Sequence, residues 1–126
     1  MSLRAPIAAA LAAALPGTWK VTGYPGQVMG RVDRTTVAVW TNEIAHLDGA
    51  PATAYVTTFT VALYSVHQDP AQADDDLEQT LPLLLDALWG MANLVLDKAE
   101  RTVNADNTLH AWVLTVRQGI TITEEA

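Results

Sequence analysis

Residues 54–88 read AYVTTFTVALYSVHQDPAQADDDLEQTLPLLLDAL, and within them the apolar period changes from that of a strand to that of a helix. From Ala54 to Val66, Tyr55, Phe59, Val61 and Leu63 share one parity, while Val56, Ala62, Tyr64 and Val66 share the other. Successive strand residues face opposite sides of a sheet, so a strand apolar on both parities belongs in the middle of one. Asp69-Pro70 then opens a helix. An aspartate caps free amides, and proline suits the first helical position, where its missing N–H costs nothing. Asp74, Asp75, Asp76 and Glu78 sit near the positive end of that helix, which favours them electrostatically. Leu77, Leu81, Leu84, Leu85 and Leu88 follow helical spacing up to Trp89-Gly90. Pro82 falls inside this pattern and is expected to kink or divide the helix.

Working outward, the pattern predicts four more strands and one more helix. Leu3, Ile7, Leu11 and Leu15 repeat every four residues among alanines, which marks a helical stripe stopped by Pro16-Gly17. Thr18 to Tyr24 read as a strand and Pro25 to Asp33 as a loop. Arg34 to Thr41, dense in β-branched residues, read as the next strand. Asn42 to Pro51 read as a loop or hairpin tip. Downstream of the helix, Asn93 to Val103 and Leu109 to Ile122 read as strands around a polar turn, and Thr123 to Ala126 as a frayed end. The expected fold is therefore α+β, one domain over residues 1–126 in the order α-β-β-β-α-β-β. Two helices packed on one face of a mostly antiparallel sheet of about four to five strands would bury both leucine stripes.

The chain of 126 residues is long enough to bury roughly two-thirds of its unfolded surface without staples. It has no cysteine, which excludes disulfides, thiolate metal sites and cysteine nucleophiles. The formal net charge of −7 opposes nucleic acid and anionic lipid. Of the basic residues Arg4, Lys20, Arg31, Arg34, Lys98, Arg101 and Arg117, only Arg31 and Arg34 lie close together, so no DNA-reading surface is expected. No apolar run is long enough to span a bilayer. Arg4 followed by Ile7 to Leu15 imitates a short signal peptide, but a signal core has no need of a four-residue stripe.

Catalytic patterns are sparse. His46, His67 and His110 show no metal-ligand spacing. Ser2 and Ser65, the only serines, lie in no nucleophile elbow. Asp74, Asp75 and Asp76 lack the spacing of a calcium loop, and consecutive helical residues diverge by about 100°. Gly23, Gly26 and Gly30 are interrupted by proline and followed by no Lys-Ser/Thr. Trp40, Trp89 and Trp112 sit on predicted elements and are expected in the core, while Trp19 fits either a core or a surface role. Neither an enzyme nor a cofactor or metal site is expected.

Several segments carry a further signal. They are Ser2-Leu3-Arg4 with its alanine-rich helix, Trp19-Lys20-Val21-Thr22-Gly23-Tyr24-Pro25, Asp75-Asp76-Leu77-Glu78, Leu83 to Trp89, Ala99-Glu100-Arg101 and His110-Ala111-Trp112. With the element order, they resemble the small tail terminator and tail completion proteins of actinobacterial siphophages and prophages. The likeness spans nearly the whole chain, through loose motifs in a family without a catalytic signature.

The resemblance implies a ring, commonly of six subunits, in the neck of the virion tail, assembled in the host cytoplasm. Such a ring stops growth of the tail-tube protein and docks the head connector, with DNA passing through its centre. An acidic lumen would not grip that DNA. A ring needs one patch that meets a different patch on its neighbour. The loops Pro25 to Asp33 and Asn42 to Pro51 are expected contacts, with Arg31 and Arg34 facing carboxylates of a neighbour such as Asp74, Asp75 and Asp76. Two other readings stay open. One is another ring-forming neck protein, a head-tail connector or head completion protein. The other is a secreted ligand-binding domain, which requires cleavage of the first helix.

Overall fold

The computed structural model describes residues 5–22, 34–46, 54–91, 94–103 and 109–121. Its elements are α1 (Ala5–Ala14), β1 (Lys20–Thr22), β2 (Thr36–His46), β3 (Ala54–Tyr64), α2 (Pro70–Trp89), β4 (Leu94–Val103) and β5 (His110–Thr121). The strands form one sheet in the order β1-β2-β3-β5-β4. Only the β1–β2 pair is parallel; the other three pairs are antiparallel.

Both helices lie on the same face. The register sets Val37 opposite Leu63, Val39 opposite Val61, Val61 opposite Leu114, and Phe59 opposite Val116. These side chains share one face and pack with Ile7, Leu11 and Leu15 from α1 and its exit and with Leu77, Leu84 and Leu88 from α2. Each of these leucines, removed from water, contributes roughly 1.5–3 kcal/mol. The opposite face is built of small residues: Thr36, Ala38, Thr60, Ala62 and Ala111 are buried there between half-buried Trp40, Tyr64 and Val113. Expected as a core residue, Trp40 instead lies on this face away from the helices.

α1 tolerates Pro6 because it falls in the first turn. The Leu15 amide still donates to Leu11 at 2.9 Å before Pro16 ends the helix. A tight turn follows, Trp19 N donating to Pro16 O at 3.0 Å, and Lys20 N then joins Thr35 O at 2.9 Å. β1 starts at Lys20, two residues later than the expected Thr18, with Lys20, Val21 and Thr22 against Thr36, Val37 and Ala38; the expected end at Gly23 and Tyr24 lies outside the described residues.

β2 corrects a second expectation. Asn42 to His46 are strand, not loop. β3 supplies the ladder, with Glu43, Ile44, Ala45 and His46 opposite Thr58, Thr57, Val56 and Tyr55. A β-bulge between Thr41 and Glu43 takes up the extra residue, Asn42, whose amide Nδ2 donates to Thr60 Oγ1. A polar residue that resembles a turn signal in sequence thus serves as a bulge. The remainder of that segment, 47–51, and the predicted loop Pro25–Asp33, including Arg31, lie outside the described residues.

α2 is one helix of 20 residues and is not divided at Pro82. Pro82 sits on the exposed side, where water can serve the Glu78 carbonyl that lacks a helical donor. Asp69 caps the start, its side chain accepting from Gln72 N at 3.1 Å. At the other end, Gly90 N donates to Asp86 O at 3.2 Å and Met91 N to Leu88 O at 3.0 Å.

Candidate interaction surface

The sheet has two ends of different character. At one end, α2 begins where β3 stops, and a polar network ties the two helix-facing layers together. Arg101 on β4 donates to Asp74 Oδ1 through Nη2 at 2.7 Å and Nε at 3.0 Å. Its Nη1 donates to Thr102 O at 2.6 Å and Ala111 O at 3.3 Å. Nη2 also lies 3.0 Å from His110 Nδ1. A guanidinium only donates, so Nδ1 accepts and carries no proton. The proton therefore sits on Nε2, which donates to Gln68 O at 3.2 Å. His110 is buried and fully engaged. Ser65, also buried, donates from Oγ to Asp76 Oδ2 at 2.7 Å and accepts from His67 N at 3.1 Å. Serine and imidazole each have other partners, so they form no nucleophile–base pair.

This geometry places the aspartates expected at an interface. Asp74 is held by Arg101 and Asp76 by Ser65, both within the chain, on different sides of the helix. Asp75 faces solvent. Arg34 is exposed at the entry to β2. Among the described residues no group of histidine, aspartate and glutamate side chains is arranged to hold a metal ion, and no helix is long and apolar enough to cross a membrane.

The other end is apolar and open. Leu85, Leu88 and Trp89 at the end of α2 face Leu94 and Leu96 on β4 and Val116 on β5 across a groove of about 200 Å³. Trp89, expected in the core, is 91% exposed. It is the last residue of α2, one position beyond buried Leu88. Leu96 and, on the opposite face, Val95 are also exposed. β4 bounds the groove as the outermost strand, and no described element pairs with its outer edge. On the other face of the sheet, an ion pair between Arg117 and Asp97, 2.7 Å apart, ties β5 to β4.

No protein-family model and no curated protein matches this chain. The surface must therefore be read from its own chemistry. A shallow apolar groove with an exposed tryptophan at an open strand edge offers area and backbone hydrogen bonds to another polypeptide. It offers no converging polar groups to a small molecule. Sequence patterning missed it because Leu85, Leu88, Leu94 and Leu96 look like ordinary core. The available signal was the apolar run continuing through Trp89, with no further helix to cover it among the described residues.

Proposed function

We propose that this chain is a structural assembly protein, the tail terminator of a long-tailed bacteriophage or prophage. It forms a ring on the head-proximal end of the tail tube, stops tube growth and joins the tail to the head. The observation that carries the assembly reading is the Trp89 groove beside the open edge of β4, a surface suited to a second polypeptide. The choice of terminator rests on the resemblance of the segments around Trp19, Asp75, Ala99 and His110 to that family. The α-β-β-β-α-β-β order is compatible with it.

The test adds the purified chain to polymerising tail-tube subunits. A terminator caps the tubes at one end and shortens them. Tubes of unchanged length, with the chain bound instead to the head portal, would assign it to another neck component.

A further inference from the structure

The two long edges of the sheet differ in composition and complement each other. On one side, β4 has no strand beyond it among the described residues. On the other, β1 covers β2 only at Thr36, Val37 and Ala38, so the outer edge of β2 from Val39 to Ala45 has no described strand beside it. Three antiparallel steps separate β2 from β4, so the two strands run in opposite directions. A second copy placed alongside in the same orientation therefore brings its β2 antiparallel to β4. This part of β2 lies at the same end of the sheet as Leu94 and Leu96, because Ile44 reaches Gln118 through Thr57 and Gln118 faces Leu94.

We infer that the subunits of the ring join by this edge pairing, with Ile44 of one copy entering the Trp89 groove of the next. Ile44 lies on the helix-facing side, in line with Thr57, and is 47% exposed. Leu96 lies on the same side, opposite Val116. One register sets Ile44 against Leu96 and Thr41 against Ala99. In it the two bulged segments face each other, Asn42 opposite Lys98 and Glu43 opposite Asp97, which Arg117 already pairs at 2.7 Å, so the pleats on both sides of the joint stay in phase. On the opposite face, the same register makes Glu43 a diagonal neighbour of Lys98, which Glu100 of its own chain holds at 2.9 Å. Strand twist of roughly 20–25° lets strands joined at this end splay at the other, where β1 lies. The contact uses one patch against a different one, as a closed ring requires. It rests on the assembly reading above.

The natural chain contains no cysteine, which makes disulfide trapping direct. Ile44 and Leu96 of one copy lie three strand spacings apart, about 14 Å, too far for an internal bridge. The double variant Ile44→Cys with Leu96→Cys is oxidised gently, both free and bound to tail tubes, and resolved without reductant. The expected result is a ladder of covalent multimers ending at a closed ring, absent from either single variant. As a second readout, Glu43→Lys or Lys98→Glu weakens association about threefold, and the double exchange restores it. Oligomers that form without cross-linking, or that trap only as symmetric dimers through Cys at position 44, overturn the edge pairing and leave the ring intact. A chain that stays monomeric and leaves tube growth unaltered overturns the ring and the pairing together.

Discussion

Arg101 on β4 holds Asp74 on α2 at 2.7 Å, so the first turns of the long helix are tied to the outermost strand. The aspartate end of this pair is well exposed and the arginine end is not. Arg101 also serves Thr102 O, Ala111 O and His110 Nδ1. Asp74→Asn should therefore cost less than about 1 kcal/mol, the usual value of an exposed pair. Arg101→Met should cost about 2–3 kcal/mol, because it leaves buried His110 without its donor. Urea denaturation of both variants checks the order; equal losses would mean that the ion pair alone matters.

The α1 stripe makes a separate claim. Leu11 is fully buried between α2 and the sheet, while Leu83 on the exposed side of α2 is 46% accessible. Leu11→Ala should cost about 2–5 kcal/mol through lost contacts and a cavity. Leu83→Ala should change stability by less than about 0.5 kcal/mol. Thermal melts of the two variants separate a docked first helix from a loosely attached one.

How far these relationships can be read in the sequence depends on their range. Periodicity is local, so the Leu77–Leu88 stripe, the Asp69-Pro70 start and the two-sided apolar pattern of β3 were legible, although β3 ends at Tyr64 and not at the expected Val66. The length of β2 was not, because a bulge at Asn42 depends on what β3 offers across the hairpin. The exposure of Trp89 was missed for a related reason: its residue type favours the core, and only the place where the sheet ends leaves it outside. Arg101 was one scattered cation in sequence. It becomes a hub because β4 and β5 pair Arg101 with Trp112 and Val103 with His110, beneath the start of α2.

Tyr64 supplies a pH prediction. It ends β3 on the face away from the helices, and burial pushes its phenol above the ordinary tyrosine value. A raised folded-state value favours the neutral form in the native state. Its contribution to stability is thus complete below the unfolded value near 10 and is lost as pH rises through the folded value. The difference in phenolate absorbance between the natural chain and Tyr64→Phe should show a midpoint above about 10. The Phe variant should lose less stability on alkaline titration. A midpoint at the ordinary value would mean that Tyr64 is solvated.

Trp89 separates folding from assembly. Its side chain is almost wholly exposed, whereas adjacent Leu88 is 5% exposed and packs in the core. Trp89→Ser should therefore leave the denaturation midpoint nearly unchanged, while Leu88→Ala destabilises by about 2–5 kcal/mol. If the groove receives a neighbouring subunit, a central exposed tryptophan is the kind of residue that dominates binding, at about 2 kcal/mol or more on truncation. Association of Trp89→Ser, followed by sedimentation, should then be weakened roughly 30-fold or more. Such a loss with an intact fold assigns the indole to the subunit contact. Undiminished association would move that contact to another part of the surface.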